Sequence, residues 1–234
     1  MFRYLSLIFL GACVSSPYTD IQTSTFVLRT YQKLECAASE VVVYIEGDGR
    51  SFDRRGRPTD DPTPRGDFVR RLAFDDPRPN VVYLARPCQY VNDDVCVVED
   101  WTVARFSKRA VDASAEAIAR AAGGRPVVLI GFSGGAQIAG LVAVLHPELN
   151  VQKIVTIAGN LDHAEWTRAK NLAPLDGSLD LNDYKDEFMR IPQTHYVGDK
   201  DTVIATWITV NFLGGMEDVI VVPGAAHNKG FTSF

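Results

Sequence analysis

The chain has 234 residues, 46% hydrophobic and 23% charged, a balance that supports a sizeable core and excludes a disordered or fibrous polymer. Its net charge is −5 and its Lys and Arg residues are scattered, which excludes the basic footprint of a nucleic-acid binder. One domain with a small-molecule or envelope role is the expectation.

The chain opens with "MFR", a short apolar run from Tyr4 to Leu10, and "LGAC" ending at Cys13. This resembles a bacterial lipoprotein signal, in which the cysteine after small residues is acylated and becomes the new N-terminus. The resemblance implies removal of residues 1–12, a lipid anchor on Cys13 and a tether over 13–24. Val14 after the cysteine implies the outer membrane, on the periplasmic side. Membrane contact would run through this lipid, because after residue 10 no apolar stretch is long enough to span a bilayer.

Two β-rich runs follow, "TFVLRTYQ" near 25–32 and "VVVYIE" at 41–46. The stretch "GDGRSFDRRGRPTDDPTPRGD" is rich in Gly, Pro, Asp and Arg and reads as a long loop. Its Asp60, Asp61 and Asp67 fit no calcium-loop spacing, so no metal site is expected there. "VVYLA" at 81–85 is the next strand, and Arg86, Tyr90 and Trp101 near its end are candidates to line a pocket. Cys88 and Cys96 flank the short stretch "CQYVNDDVC". In an exported chain they are expected to form a disulfide, two buried thiols being the alternative, with Cys36 left over either way.

Apolar residues recur at helical spacing from about Thr102 to Ala122. Then come the strand "PVVLIG", a helix from about Gly135 to Leu145, the strand "KIVTIAG" and a helical stretch near 163–171. The chain closes with "THYVG" at 194–198, a helix from about Thr202 to Leu213, and "DVIVVPG". β-branched runs alternating with helices predict an α/β fold with a mostly parallel sheet covered on both faces, a three-layer sandwich.

In such sheets ligands gather beyond the carboxyl ends of the strands, which here carry "EGDGR", "GFSGG", "GDKD" and "PGAAHNKG". "GFSGG" lies between an apolar strand and a helix of small residues, the setting of a nucleophile elbow. It lacks the Gly-Lys-Ser/Thr of a phosphate loop, and "GDGRSF" lacks the third glycine of a dinucleotide fingerprint, so no cofactor is expected. A serine hydroxyl needs a base and an acid that orients the base, in the chain order Ser, Asp, His at later strand ends. Of the four histidines only His227 follows the last strand, in a Gly-rich loop. Asp201, Asp199 and Asp162 are the candidate acids, with Asp201 favoured although it could also cap the helix that follows.

From about residue 25 to its end the chain resembles an α/β-hydrolase-fold serine hydrolase, on "EGDG" at 46–49, "GFSGG", "GDKDTV" and the late His227. The resemblance implies a single domain over 25–234 with Ser133 as nucleophile, Asp201 as acid and His227 as base. It further implies that the backbone N–H groups of Gly134 and Asp48 hold the oxyanion. Glu46 stands where that loop usually carries His. The implied activity is hydrolysis of a small-molecule ester or acyl substrate at the cell envelope. Thioester or peptide cleavage, acyl transfer and a non-catalytic binding lipoprotein are the alternatives.

Overall fold

Three strands set the centre of the molecule: β3 (Val41–Ile45), β4 (Asn80–Leu84) and β5 (Val127–Phe132), buried at every position. Their continuous runs of Val, Leu, Ile and Tyr show no polar face because both sides of the sheet are covered. The computed structural model describes residues 18–35, 39–232 and 234, so Cys13, the expected signal and Cys36 lie outside the described residues.

With β1 (Tyr18–Gln22), β2 (Val27–Leu34), β6 (Val151–Ile157), β7 (Gln193–Gly198) and β8 (Val219–Val222) the strands form one eight-stranded sheet, ordered β1-β2-β4-β3-β5-β6-β7-β8. β3 to β8 run parallel, and β2 is antiparallel to both β1 and β4. Side chains alternate between the two faces. Val41, Val43 and Ile45 pack with residues of α2 (Lys108–Ala122) and α3 (Gly134–Leu145), joined by Phe188 of α5 (Lys185–Phe188) and Phe212 of α6 (Thr206–Leu213). Val42 and Tyr44 pack on the opposite side against Val69 and Ala73 of α1 (Phe68–Asp75). Ala225, Phe231 and Phe234, all beyond β8, complete that second layer.

Four features depart from the sequence reading. The stretch 18–22 is a strand of the sheet rather than part of a tether, paired with β2 from Tyr18↔Tyr31 to Gln22↔Val27. It escapes a pattern reading because an edge strand packs little: only Ile21 of "YTDIQ" is buried. Likewise α1, "FVRRLAFD", buries only Val69 and Ala73 and is too short for a clear period. The helix expected from Thr102 begins at Lys108, after a 3-10 turn at Val98–Trp101 and an extended Ser107. The helix expected from Thr202 begins at Thr206, because Asp201 Oδ1 accepts the N–H groups of Val203 (2.7 Å) and Ile204 (3.0 Å) and holds that stretch in a turn.

Candidate active site

Ser133 joins β5 to α3 with φ 50° and ψ −123°, a conformation that costs a non-glycine residue roughly 1–3 kcal/mol. Such a turn lifts the side chain off the sheet and forces strand and helix together. A Cβ at Gly131 would lie 2.5 Å from Ala136 Cα, and one at Gly135 would lie 2.4 Å from the carbonyl oxygen of Ile45. Both contacts are prohibitive for any side chain, so the glycines of "GFSGG" follow from close packing.

Ser133 Oγ lies 3.0 Å from His227 Nε2, and His227 Nδ1 lies 2.9 Å from Asp201 Oδ2. A carboxylate only accepts, so in the neutral imidazole Nδ1 carries the proton and Nε2 accepts from the Ser133 hydroxyl. Asp201 is 1% exposed at its side chain and His227 18%. The fold divides the labour of the Asp201 carboxylate, one oxygen holding the turn at 203–204 and the other facing the imidazole. The other candidate acids are committed elsewhere. Asp199 accepts the Gly224 N–H at 2.7 Å, and Asp162 caps α4 (His163–Lys170) through the Glu165 N–H at 2.8 Å. The remaining histidines have local partners: His146 faces Asp112 and Glu148, His163 faces the Leu179 carbonyl, and His195 is buried between Thr156 and Gln193. Burial pushes the His195 imidazole down to about 4, which suits a neutral core histidine.

The loop after β3 presses against the elbow. A Cβ at Gly47 would be 3.2 Å from Ser133 Cβ, and one at Gly134 would be 2.0 Å from Asp48 Oδ1. Gly134 is the first residue of α3, so its N–H has no partner within the helix. Asp48 Oδ1 accepts from Arg86 Nη1 at 3.3 Å and Oδ2 from Arg105 Nη1 at 2.8 Å. Arg86 in turn donates to the Arg105 carbonyl, and Arg105 Nε donates to the Thr102 carbonyl at 2.6 Å. Burial by itself raises the Asp48 carboxyl, but the guanidiniums of Arg105 and Arg86 outweigh it and hold Asp48 below the usual carboxylate range. Burial lowers Arg86 to about 10, with Arg105 adding to the effect and Asp48 opposing it.

Glu46 braces the same loop: its Oε1 accepts the Gly47 N–H at 2.9 Å and its Oε2 the Tyr83 hydroxyl at 3.0 Å. Burial pushes its carboxyl up to about 7 against the lowering pull of those hydrogen bonds and of Arg70 and Arg86.

Ser133 and His227 open into a cleft of about 380 Å³. Its walls include Phe52, Phe68, Phe132 and Trp166, and Phe132 lies 5.1 Å from the His227 ring between centroids. Arg86, Tyr90 and Trp101, candidates for the lining with packing roles as the alternative, stand behind this surface. Arg86 holds Asp48, Tyr90 faces the Tyr83 hydroxyl, and Trp101 Nε1 donates to the Thr59 carbonyl at 3.0 Å. The cationic lining comes instead from Arg105 and the loop arginines Arg50 and Arg65, beside the carboxyls of Glu46 and Asp48. Asn160, 2% exposed, also lines the cleft; its N–H donates to the Ser133 carbonyl at 3.0 Å while its Oδ1 has no partner among the described residues. Cys88 and Cys96 form the expected disulfide, with Cα atoms 5.9 Å apart.

No family model and no curated protein matches the sequence. Among solved structures the chain is similar to an α/β serine hydrolase without lid from Xanthomonas campestris, at 15% identity and a TM-score of 0.55 over 92% of this chain and 86% of that one. It is similar to Est1E from Butyrivibrio proteoclasticus at 14% identity and a TM-score of 0.60, covering 91% and 90%. It is also similar to E-2-(acetamidomethylene)succinate hydrolase at 15% identity and a TM-score of 0.59, covering 90% and 91%. With the strand order and the elbow between β5 and α3, these likenesses identify the fold as that of the α/β hydrolases.

Proposed function

We propose that the chain is a serine hydrolase of carboxylic esters in which Ser133 is the nucleophile, His227 the base and Asp201 the acid. The observation that carries this reading is the unbroken hydrogen-bonded chain from Ser133 Oγ through both nitrogens of His227 to a buried Asp201, set on a strained elbow in an aromatic cleft. Ser133 Oγ attacks the ester carbon as its proton passes to His227 Nε2. Asp201 keeps the imidazole in the receptive tautomer and stabilises the imidazolium. The oxyanion is received by the N–H groups of Gly134 and Asp48, fixed before charge develops. As the carbon–oxygen bond breaks, Nε2–H gives its proton to the leaving alcohol. Water then gives a proton to Nε2 and attacks the acyl group, releasing the acid and restoring Ser133.

The ester class is supported by the neighbours, among them Est1E, known also with ferulic acid bound, to which this chain has 13% identity and a TM-score of 0.63. A place at the cell envelope, anchored through Cys13, is supported by the "LGAC" sequence and by the Cys88–Cys96 disulfide, a bond typical of oxidising compartments. Palmitate incorporation that a Cys13→Ala substitution abolishes tests the anchor.

The activity is tested by labelling with a fluorophosphonate. Wild type is expected to label and Ser133→Ala and His227→Ala to lose labelling. A folded wild type that stays unlabelled overturns the enzyme reading, and a labelled Ser133→Ala overturns the site.

A further inference from the structure

The charge of the cleft runs against the charge of the chain. The whole molecule carries −5, yet Arg50, Arg65 and Arg105 all line the cleft. Only one lining carboxylate other than Glu46 faces them, Asp48, and it is bound by both Arg105 and the Arg86 behind it. Burial holds Glu46 near 7, so around neutral pH it cancels only part of the excess.

Arg50 and Arg65 sit on a built loop. The Arg50 N–H donates to the Pro62 carbonyl at 2.8 Å, the Thr59 N–H to Ser51 at 3.1 Å, and Phe52 bridges Pro58. Of the loop's acids, Asp53 pairs with Arg57, Asp67 with Arg71, and Asp61 accepts the Thr63 N–H, while Asp60 is exposed and lies outside the cleft lining. Among the described residues neither Arg50 nor Arg65 has an ion-pair partner. Two guanidiniums without carboxylates therefore line a cleft that they share with Phe52, Phe68, Phe132 and Trp166.

Resting on the hydrolase reading above, we infer that the substrate is an ester carrying a carboxylate, received by Arg50 and Arg65 while its apolar part lies against Phe52, Phe68, Phe132 and Trp166. A guanidinium presents paired N–H donors that match the two oxygens of a carboxylate, and such charge-assisted hydrogen bonds are about twice as strong as neutral ones. A neutral ester of the same shape leaves both arginines to water and gains nothing from them.

The test compares matched pairs that differ in charge: 4-acetoxybenzoate with its methyl ester, and monomethyl adipate with methyl hexanoate. Affinities are measured by calorimetry on the full chain bearing Ser133→Ala, and kcat/KM on the chain with Ser133 intact. The anionic member of at least one pair is expected to bind roughly tenfold tighter at low salt. That preference should shrink in 0.5 M salt (~4 Å screening length) because Arg65 is exposed and Arg50 only partly buried. Arg50→Gln with Arg65→Gln should erase it, whereas Arg54→Gln, on the same loop but outside the cleft, should keep it. Far-UV circular dichroism and the two single substitutions guard against a misfolded double variant. Equal affinity in both pairs, no binding of either anionic member, or a preference that survives Arg50→Gln and Arg65→Gln overturns the inference. If none of the four esters is hydrolysed and no fluorophosphonate label appears while the arginine-dependent preference persists, the hydrolase reading falls and the anion site stands.

Discussion

The carboxylate of Asp48 occupies the space that a side chain at residue 134 would need, with Oδ1 only 2.0 Å from the position of a Cβ built on Gly134. Asp48 cannot swing away freely, because Arg86 and Arg105 hold its two oxygens. Gly134→Ala is therefore expected to push the carboxylate off the arginines and shift the loop that faces Ser133. Loss of one oxyanion donor costs on the order of 10²–10³ in rate, so kcat/KM for an ester should fall by about that factor. Overpacking should also cost roughly 1–3 kcal/mol of stability. Kinetics and thermal unfolding of the variant check both, and an unimpaired Gly134→Ala would show that the carboxylate is free to move.

Asp201 and Asp199 are two residues apart and both follow β7, yet only Asp201 faces His227. In Asp201→Asn the amide offers an N–H to Nδ1, which drives the imidazole into the tautomer whose Nε2 carries the proton. The base is lost while an amide oxygen remains for the turn at 203–204, so the fold should persist. The expected fall in kcat is on the order of 10⁴. Asp199→Asn should stay within about threefold of wild type, as an exposed substitution does. Comparable losses in both variants would contradict this division of roles.

How much of this could be read from the sequence depended on how local each feature is. The elbow was legible because strand, Gly-Ser-Gly and small-residue helix are contiguous, and the order Ser133, Asp201, His227 was legible because each residue follows a recognisable apolar strand. The Asp48–Arg86–Arg105 cluster was not. Arg86 and Arg105 stand 38 and 57 residues from Asp48, and an arginine that will be buried looks the same in sequence as one in solvent. Asn160 was hidden for a similar reason, since an Asn after a strand reads as turn chemistry until its burial beside Ser133 is seen. The edge strand β1 and the short α1 lack enough buried positions to impose a period.

The disulfide joins Cys88 and Cys96, eight positions apart in the chain. Chain-entropy arguments assign a loop of this size about 2–3 kcal/mol of stabilisation. The double substitution Cys88→Ala and Cys96→Ala is therefore expected to lower the unfolding free energy by about that amount in a denaturant titration. A reductant should bring the wild-type midpoint down to that of the variant and leave the variant unmoved. A reductant-insensitive wild type would mean that the thiols do not pair.

Glu46 predicts a pH dependence of stability whose sign follows from its burial. Its carboxyl is ordinarily near 4.5 and is raised in the folded chain to about 7. Between these values the folded state binds more protons than the unfolded state, so this residue makes the protein less stable as pH rises through that window. Its cost is absent below about 4.5 and fully expressed above about 7, where it reaches a few kcal/mol. Glu46→Gln keeps an oxygen for the Gly47 N–H and an amide for the Tyr83 hydroxyl but cannot ionise. The variant should therefore gain melting temperature relative to wild type as pH is raised from 5 to 8, and the two should converge toward pH 4.5. Taking the difference between the two proteins removes Asp48 and Asp76, whose lowered carboxyls act in the opposite sense in both. A difference that stays flat across this range, or that favours wild type at pH 8, would mean that the Glu46 charge is stabilised by Arg70 and Arg86 more fully than its burial implies.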